Sequence, residues 1–325
     1  HSCVTHPTVM SEHDRVVAMN TSKQMIGISL IVISSICFAV VPNSAKLALD
    51  EGVSLYFLIM SRFIIGAAIL LPYGMVTHAS FRIPRGEVLP LIVTGITALI
   101  LLAATYHAVE FIDIGLVLLI LYSFPFGIAI LARLRRGEQL SISRWLCMVV
   151  VLAGLGIMIF DGKGDINFYG VFISVIGLIS FIMFIETSSQ LAIKMGGAVL
   201  NFYISVIGLI LMLAMLPLGL ALTVPQTNIG IMAIGSNGVF FVLSWVLFFE
   251  GARIIGTTRA SLLACVEPLF AALLALVFLG QQLSIIEWFG FFVVLAAIFA
   301  FEKLGLQQYR IIAAEKTKNR NLLCK

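Results

Sequence analysis

Ten apolar stretches, each close to the length that crosses a bilayer, follow one another from residue 25 to residue 301. They read as 25–45, 53–76, 88–108, 112–132, 145–160, 168–190, 198–222, 229–250, 257–279 and 285–301. A helix rises ~1.5 Å per residue, so ~20 residues span ~30 Å of hydrocarbon. Lipid offers no water to satisfy backbone polar groups, which leaves helices or a closed barrel. Barrel strands would be ~10 residues long with polar alternation, and no such pattern occurs. An all-α membrane protein of ten transmembrane helices is therefore expected. Composition agrees: 61% of residues are hydrophobic, 11% are charged, and the mean hydropathy is +1.11. A soluble domain carries roughly 45–50% and 25%.

The ten stretches are two sets of five. Displaced by 143 positions, the chain matches itself. Gly137-Glu138-Gln139-Leu140-Ser141-Ile142 falls on Gly280-Gln281-Gln282-Leu283-Ser284-Ile285, and Trp145 falls on Trp288. Pro125 falls on Pro268, Gly27 on Gly170 and Phe38 on Phe181. The boundaries expected are a polar segment at 1–24, a first repeat at 25–161, a second at 166–303 and a basic tail at 304–325. A cleaved signal peptide at 25–45 is the competing reading of the first stretch, and its counterpart at 168–190 argues against it.

An odd number of helices per repeat forces the second copy to lie upside down against the first. The charges follow. Arg133, Arg135, Arg136 and Arg144 correspond to Leu276, Phe278, Leu279 and Glu287, whereas Glu110 and Leu116 correspond to Arg253 and Arg259. Positive residues mark the cytoplasmic side, so both termini are expected inside. Of 20 Lys and Arg, only Lys46, Lys163 and Arg62 then fall elsewhere. The net charge of +4 is explained by this orientation signal and implies no nucleic acid.

Inverted repeats that meet at mid-membrane suit alternating access, in which two similar halves exchange conformations around a central site. Polar residues at that depth are the candidates. Arg62 lies about 13 Å into its span and Glu267 about 15 Å. Tyr122, Ser123 and Asn237 lie at similar depth. A lone charge there costs ~2.5–3.5 kcal/mol, so it should face a wet cavity or a partner. An Arg62–Glu267 ion pair is one economical arrangement. The plainer alternatives are that Arg62 binds backbone carbonyls and that Glu267 caps amides near Pro268. Pro125 and Pro268 each remove a mid-span hydrogen bond, which yields either a static kink or a flex point. Glu186, Ser188, Ser189 and Gln190 read as a solvated helix end, and His107 with Glu110 as another.

There is no H-E-x-x-H, G-x-S-x-G or P-loop, so nothing points to an enzyme. The five cysteines, at 3, 37, 147, 265 and 324, show neither C-x-x-C spacing nor a disulfide framework. No metal or cofactor is expected. The expected partners are the bilayer and a small-molecule substrate. Glu267, a carboxyl at mid-depth, makes protons a candidate coupling ion.

Arg62-Phe63 followed by Leu71-Pro72, the junction Gly137-Glu138-Gln139-Leu140, Ala260-Ser261-Leu262-Leu263 through Glu267-Pro268, and the closing Leu279-Gly280-Gln281-Gln282-Leu283 carry a resemblance. The chain resembles the drug/metabolite transporter superfamily, of the type with two EamA domains. Gln281 stands where Glu is usual, and Phe124 where a small residue usually precedes the proline. The resemblance implies ten helices, cytoplasmic termini and a plasma (inner) membrane carrier, often an exporter of amino acids or related metabolites. The competing expectation is a non-transporting membrane scaffold or sensor, against which the short loops argue.

Overall fold

The structure, a computed structural model, describes residues 12–138, 140–159, 167–218, 222–278 and 283–323, with side chains for all of these except 12–21 and 305–323. The turns expected at 161–165 and 280–282 lie outside the described residues. The helices in chain order are α1 (Glu12–Asp50), α2 (Leu55–Val76), α3 (Val88–Ala108), α4 (Ile114–Leu121), α5 (Phe124–Arg136) and α6 (Ile142–Ile159). The second set is α7 (Phe168–Met195), α8 (Gly197–Met215), α9 (Asn228–Ile255), α10 (Thr257–Ala264), α11 (Glu267–Phe278) and α12 (Ile285–Leu323). Ten stretches of these are long and apolar enough to cross a membrane; α4 with α5 makes one, and α10 with α11 another. There is no strand among the described residues.

Helix starts at one end of the bundle are capped by short polar side chains. Asp113 Oδ1 accepts from the Gly115 amide at 2.7 Å, Asn167 Oδ1 from Tyr169 at 2.9 Å and Thr227 Oγ1 from Gly230 at 3.0 Å. Each satisfies an amide that has no partner within its own helix. The opposite end, where α1 begins and α12 finishes, uses one-residue junctions. Gly196 joins α7 to α8 at φ +81° and Gly256 joins α9 to α10 at φ +86°, a region essentially closed to other residues.

Packing follows the repeat. Exchange of the halves maps α1–α6 onto α7–α12. The α3–α7 contact becomes the α9–α1 contact, and the α2–α8 and α6–α12 contacts map onto themselves. Individual residues obey the same operation. A Cβ placed on Gly27 would lie 2.5 Å from Ile255 Cγ2, and one on Gly170 would lie 2.8 Å from Ile112 Cγ2. Both partners are displaced by 143 positions (27 to 170, 112 to 255). The i, i+3 pair His107–Glu110 recurs as Glu250–Arg253 with the basic and acidic residues exchanged in order. Five spans per half, each pair of neighbours antiparallel, make the two repeats inverted.

The α6–α12 seam is a tight backbone crossing. A Cβ on Gly290 would meet the Gly154 carbonyl oxygen at 2.7 Å and the Met158 nitrogen at 2.9 Å, and backbone atoms cannot rotate away. Gly290→Ala is expected to destabilise the protein by about 1–3 kcal/mol. Gly235→Ala, where nothing lies within 4 Å, is the matched control. It should be neutral or slightly stabilising, because alanine favours helix by up to about 1 kcal/mol. Thermal melts in detergent compare the two, and equal melting temperatures would refute the crossing.

Candidate functional site

Polar side chains inside a bundle must find partners in neighbouring helices, and here they form two separate groups. The first is built on Asn237 of α9, which is fully buried. Its Nδ2 donates to the Val41 carbonyl at 2.7 Å and to Ser44 Oγ at 3.0 Å, both on α1. Its Oδ1 accepts from Arg62 Nε of α2 at 2.7 Å. The guanidinium lies over the Phe241 ring, 5.1 Å from its centroid, with the Tyr106 hydroxyl beside it. Arg62 is 5% exposed. One amide thus ties three helices and neutralises part of the cost of a buried charge.

The second group lies where the broken spans meet. α4 gives way to α5 at Tyr122 and Ser123, and α10 to α11 at Cys265 and Val266. The turns tighten to i, i−3 bonds: Ser123 N to Ile120 O at 3.1 Å and Val266 N to Leu263 O at 3.1 Å. Pro125 and Pro268 follow each turn, so the Leu121 and Ala264 carbonyls have no amide four residues on. Glu267 opens α11 with its carboxyl beside the Tyr122 hydroxyl. Ser123 Oγ donates to the Ile120 carbonyl at 2.6 Å, bracing its own turn. Asn43 of α1 reaches this region, donating to the Ala39 carbonyl at 2.8 Å and to the Ala271 carbonyl at 3.5 Å.

The Arg62–Glu267 ion pair expected from depth is not made. Arg62 turns to Asn237, and Glu267 turns to Tyr122. A second correction concerns the end of α7. Glu186, Ser188 and Ser189 are not solvated but buried, at 1%, 0% and 5% exposure, and only Gln190 is exposed. α7 runs nine residues beyond Glu186, and α5 and α10 pack against it there.

Between α2, α3, α7, α8 and α9 lies a cavity of ≈ 60 Å³. Phe63, Leu101, Phe184, Ile204 and Val242 give it apolar walls, and Asn201 and Ser205 project from one face of α8 as its polar side. Asn201 is 4% exposed, and its Nδ2 is enclosed with no hydrogen-bond partner among the described residues. Trp245 stands at the centre of a cluster with Phe38, Phe184 and Phe249, at ring distances of 4.8, 4.9 and 5.4 Å. The cavity sits on the axis that relates the repeats. Ala98 and Phe241, both lining it, are 143 positions apart, as are Leu102 and Trp245. Ser205 is the counterpart of Arg62 at the same displacement. Asn201, Ser205 and Trp245 were not among the sequence candidates, although displacing Arg62 by the repeat length points directly at Ser205.

Two successive matches to a single family model cover residues 25–160 and 168–301, and that model is described as the EamA-like transporter family. The chain belongs to the EamA-like transporter family. Its relatives include an uncharacterized inner membrane transporter, YicL, of Salmonella typhimurium, 39% identical over 56 residues, or 17% of this chain and 19% of that protein. An uncharacterized transporter of Archaeoglobus fulgidus is 25% identical over 196 residues, 60% of this chain and 70% of that one. A crystal structure described only as that of a protein superposes with a TM-score of 0.72 at 16% identity, covering 87% of this chain and 98% of the other. This last likeness concerns the fold alone. An EamA-type chain with ten apolar spans is a multi-pass membrane protein of transporter type.

Asn237→Leu in this EamA-like protein removes the acceptor for Arg62 and leaves the guanidinium enclosed. A loss of about 2–4 kcal/mol is expected, because a buried charge loses its partner. Arg62→Leu combined with Asn237→Leu should recover part of it. Detergent melting curves of the single and double variants form the check, and simple additivity would mean that the two side chains act independently.

Proposed function

We propose that this protein is a secondary carrier that moves a small metabolite by alternating access, exporting an amino acid or a related compound. The observation that carries the proposal is the placement of the cavity on the axis between inverted repeats. Exchange of conformations between the halves leaves such a site in place while changing the face it opens to. Residues 25–161 and 166–303 are the two moving units in this reading. The segments 1–24 and 304–325 lie in the cytoplasm, and the chain sits in the plasma (inner) membrane with both termini inside, as the excess of Lys and Arg on that side favours.

The cavity as it stands has room for a few waters, each with a share of about 30 Å³ in the liquid. It is therefore a closed form that must widen to take cargo. Arg62 and Asn237 flank the site on α2 and α9. Tyr122, Ser123 and Glu267 occupy the breaks, and Pro125 and Pro268 keep those breaks from healing into continuous helix. A half-buried carboxyl at a broken helix is suited to carry a coupling proton, and Glu267 holds that place. The reading is transport without chemistry.

The test is counterflow in proteoliposomes preloaded with amino acids and with a metabolite extract, at several pH values. The wild-type protein should exchange at least one solute above protein-free vesicles, with a rate that depends on pH. Glu267→Gln should exchange at a rate that no longer follows pH. If the mutant keeps the wild-type pH profile, Glu267 is not the coupling site. If no solute exchanges and overexpressing cells show no shift of metabolites outward, the non-transporting scaffold or sensor replaces the carrier.

A further inference from the structure

The repeats are joined differently at their two ends. At the end where α1 begins, Arg136 Nη1 at the close of α5 donates to Glu186 Oε1 of α7 at 2.5 Å. The same oxygen accepts from Gln190 Nε2 at 2.7 Å. Arg136 Nε donates to Glu138 Oε1 at 2.8 Å, and Glu138 Oε2 accepts from Thr258 Oγ1 of α10 at 3.2 Å. The chain of contacts therefore runs from the second repeat through the first and back. Lys194 pairs with Glu87 at the same end. These are the inter-repeat ion pairs among the described residues. Lys194 is half exposed, which leaves its pair worth little. Glu186 is sealed, and that makes its bond to Arg136 the strong one.

At the other end Thr227 donates to Glu51 and the Thr223 amide to Ser54 Oγ, with no ion pair between repeats among the described residues. The sequence shows why. Glu186 corresponds to Asn43, Gln190 to Leu47, Thr258 to Gly115, and Arg136 and Glu138 to Leu279 and Gln281, all by subtracting or adding 143. Not one of these counterparts is charged. The network cannot be reproduced when the halves exchange roles.

Phe184, which lines the cavity, precedes Glu186 by two residues, about 3 Å along the helix. We propose that the Arg136–Glu186 pair is a one-sided bolt that holds the central site shut from the end carrying both termini. Rupture of the pair is the step that admits a solute from that side. The inference rests on the alternating-access reading above. Arg136 and Glu186 are positioning residues in it: they set which face the site opens to and do not touch the cargo. Arg136 is already partly exposed, so opening need only let water reach Glu186, and hydration then offsets the lost bond and keeps the two states interconvertible.

The experiment is sided labelling. Ser205→Cys, in a variant with all five native cysteines replaced, places one thiol in the cavity. Inside-out and right-side-out vesicles receive a membrane-impermeant maleimide. With the bolt intact, labelling from the termini's side should be slow. Arg136→Gln and Glu186→Gln should each raise it by about tenfold or more, because the sealed Glu186 carboxylate has lost its partner or its charge. The exchanged pair, Arg136→Glu with Glu186→Arg, should return it toward the parent rate, and Arg253→Gln, in an exposed pair, should change nothing. Unchanged labelling in both single variants, or fast labelling from that side in the parent, overturns the bolt. If Arg136→Gln does not fold, Glu186→Gln decides. Labelling needs no cargo, so a protein that switches sides yet exchanges no solute sinks the carrier and leaves the bolt standing.

Discussion

Within hydrocarbon no water can satisfy a backbone amide or carbonyl, and the rest of this structure is arranged around that fact. It turns ten apolar stretches into helices. It also dictates where helices are allowed to fail. The two interruptions, at Tyr122-Ser123 and Cys265-Val266, lie against other helices, with tightened turns and the Ser123 hydroxyl taking up the slack. Arg62 survives in the bundle on the same terms, because Asn237 gives it an acceptor and Phe241 a ring face. Asn237 can do this only because α1 accepts both of its protons.

Each repeat has five spans, and an odd number gives the inversion. Symmetry then places equivalent residues around one axis, but the residues themselves have diverged. The second repeat supplies Trp245 and Phe241 where the first supplies Leu102 and Ala98. The first supplies Arg62 where the second supplies Ser205. A cavity on a two-fold axis would be symmetric in two identical halves. Here it has an aromatic wall on one side and room on the other, and a solute bound in it would have a defined orientation.

Much of the fold was legible before any coordinates. Spanning length and the 143-residue displacement gave the helices, their pairing and their inversion, because both are one-dimensional properties. The site was legible only in depth. Counting ~1.5 Å per residue put Arg62, Asn237, Tyr122 and Glu267 at one level but could not say which way each points around its helix. Charge alone therefore makes an Arg62–Glu267 pair one economical arrangement, although α9, held by α1, offers Arg62 an uncharged partner in Asn237. Glu186 failed for a related reason. Its depth was counted as if α7 ended at the membrane surface, and the packing of α5 and α10 against its last turns could not be read from α7 alone. Asn201 lies only four residues past Gly197, where α8 begins, so depth does not single it out.

Charge asymmetry between the ends has a cause that precedes function. Positive residues collect on one side because insertion requires it. Arginines 133, 135, 136 and 144 belong to that signal, and their counterparts in the inverted repeat had to lose it. Once Arg136 was fixed at the end where α1 begins, a carboxylate on the facing helix became favourable at Glu186, whereas the equivalent Asn43 has Leu279 in place of that arginine. An orientation signal thus supplied the raw material for an inter-repeat contact. Two halves that began as copies became energetically unequal without any change of fold.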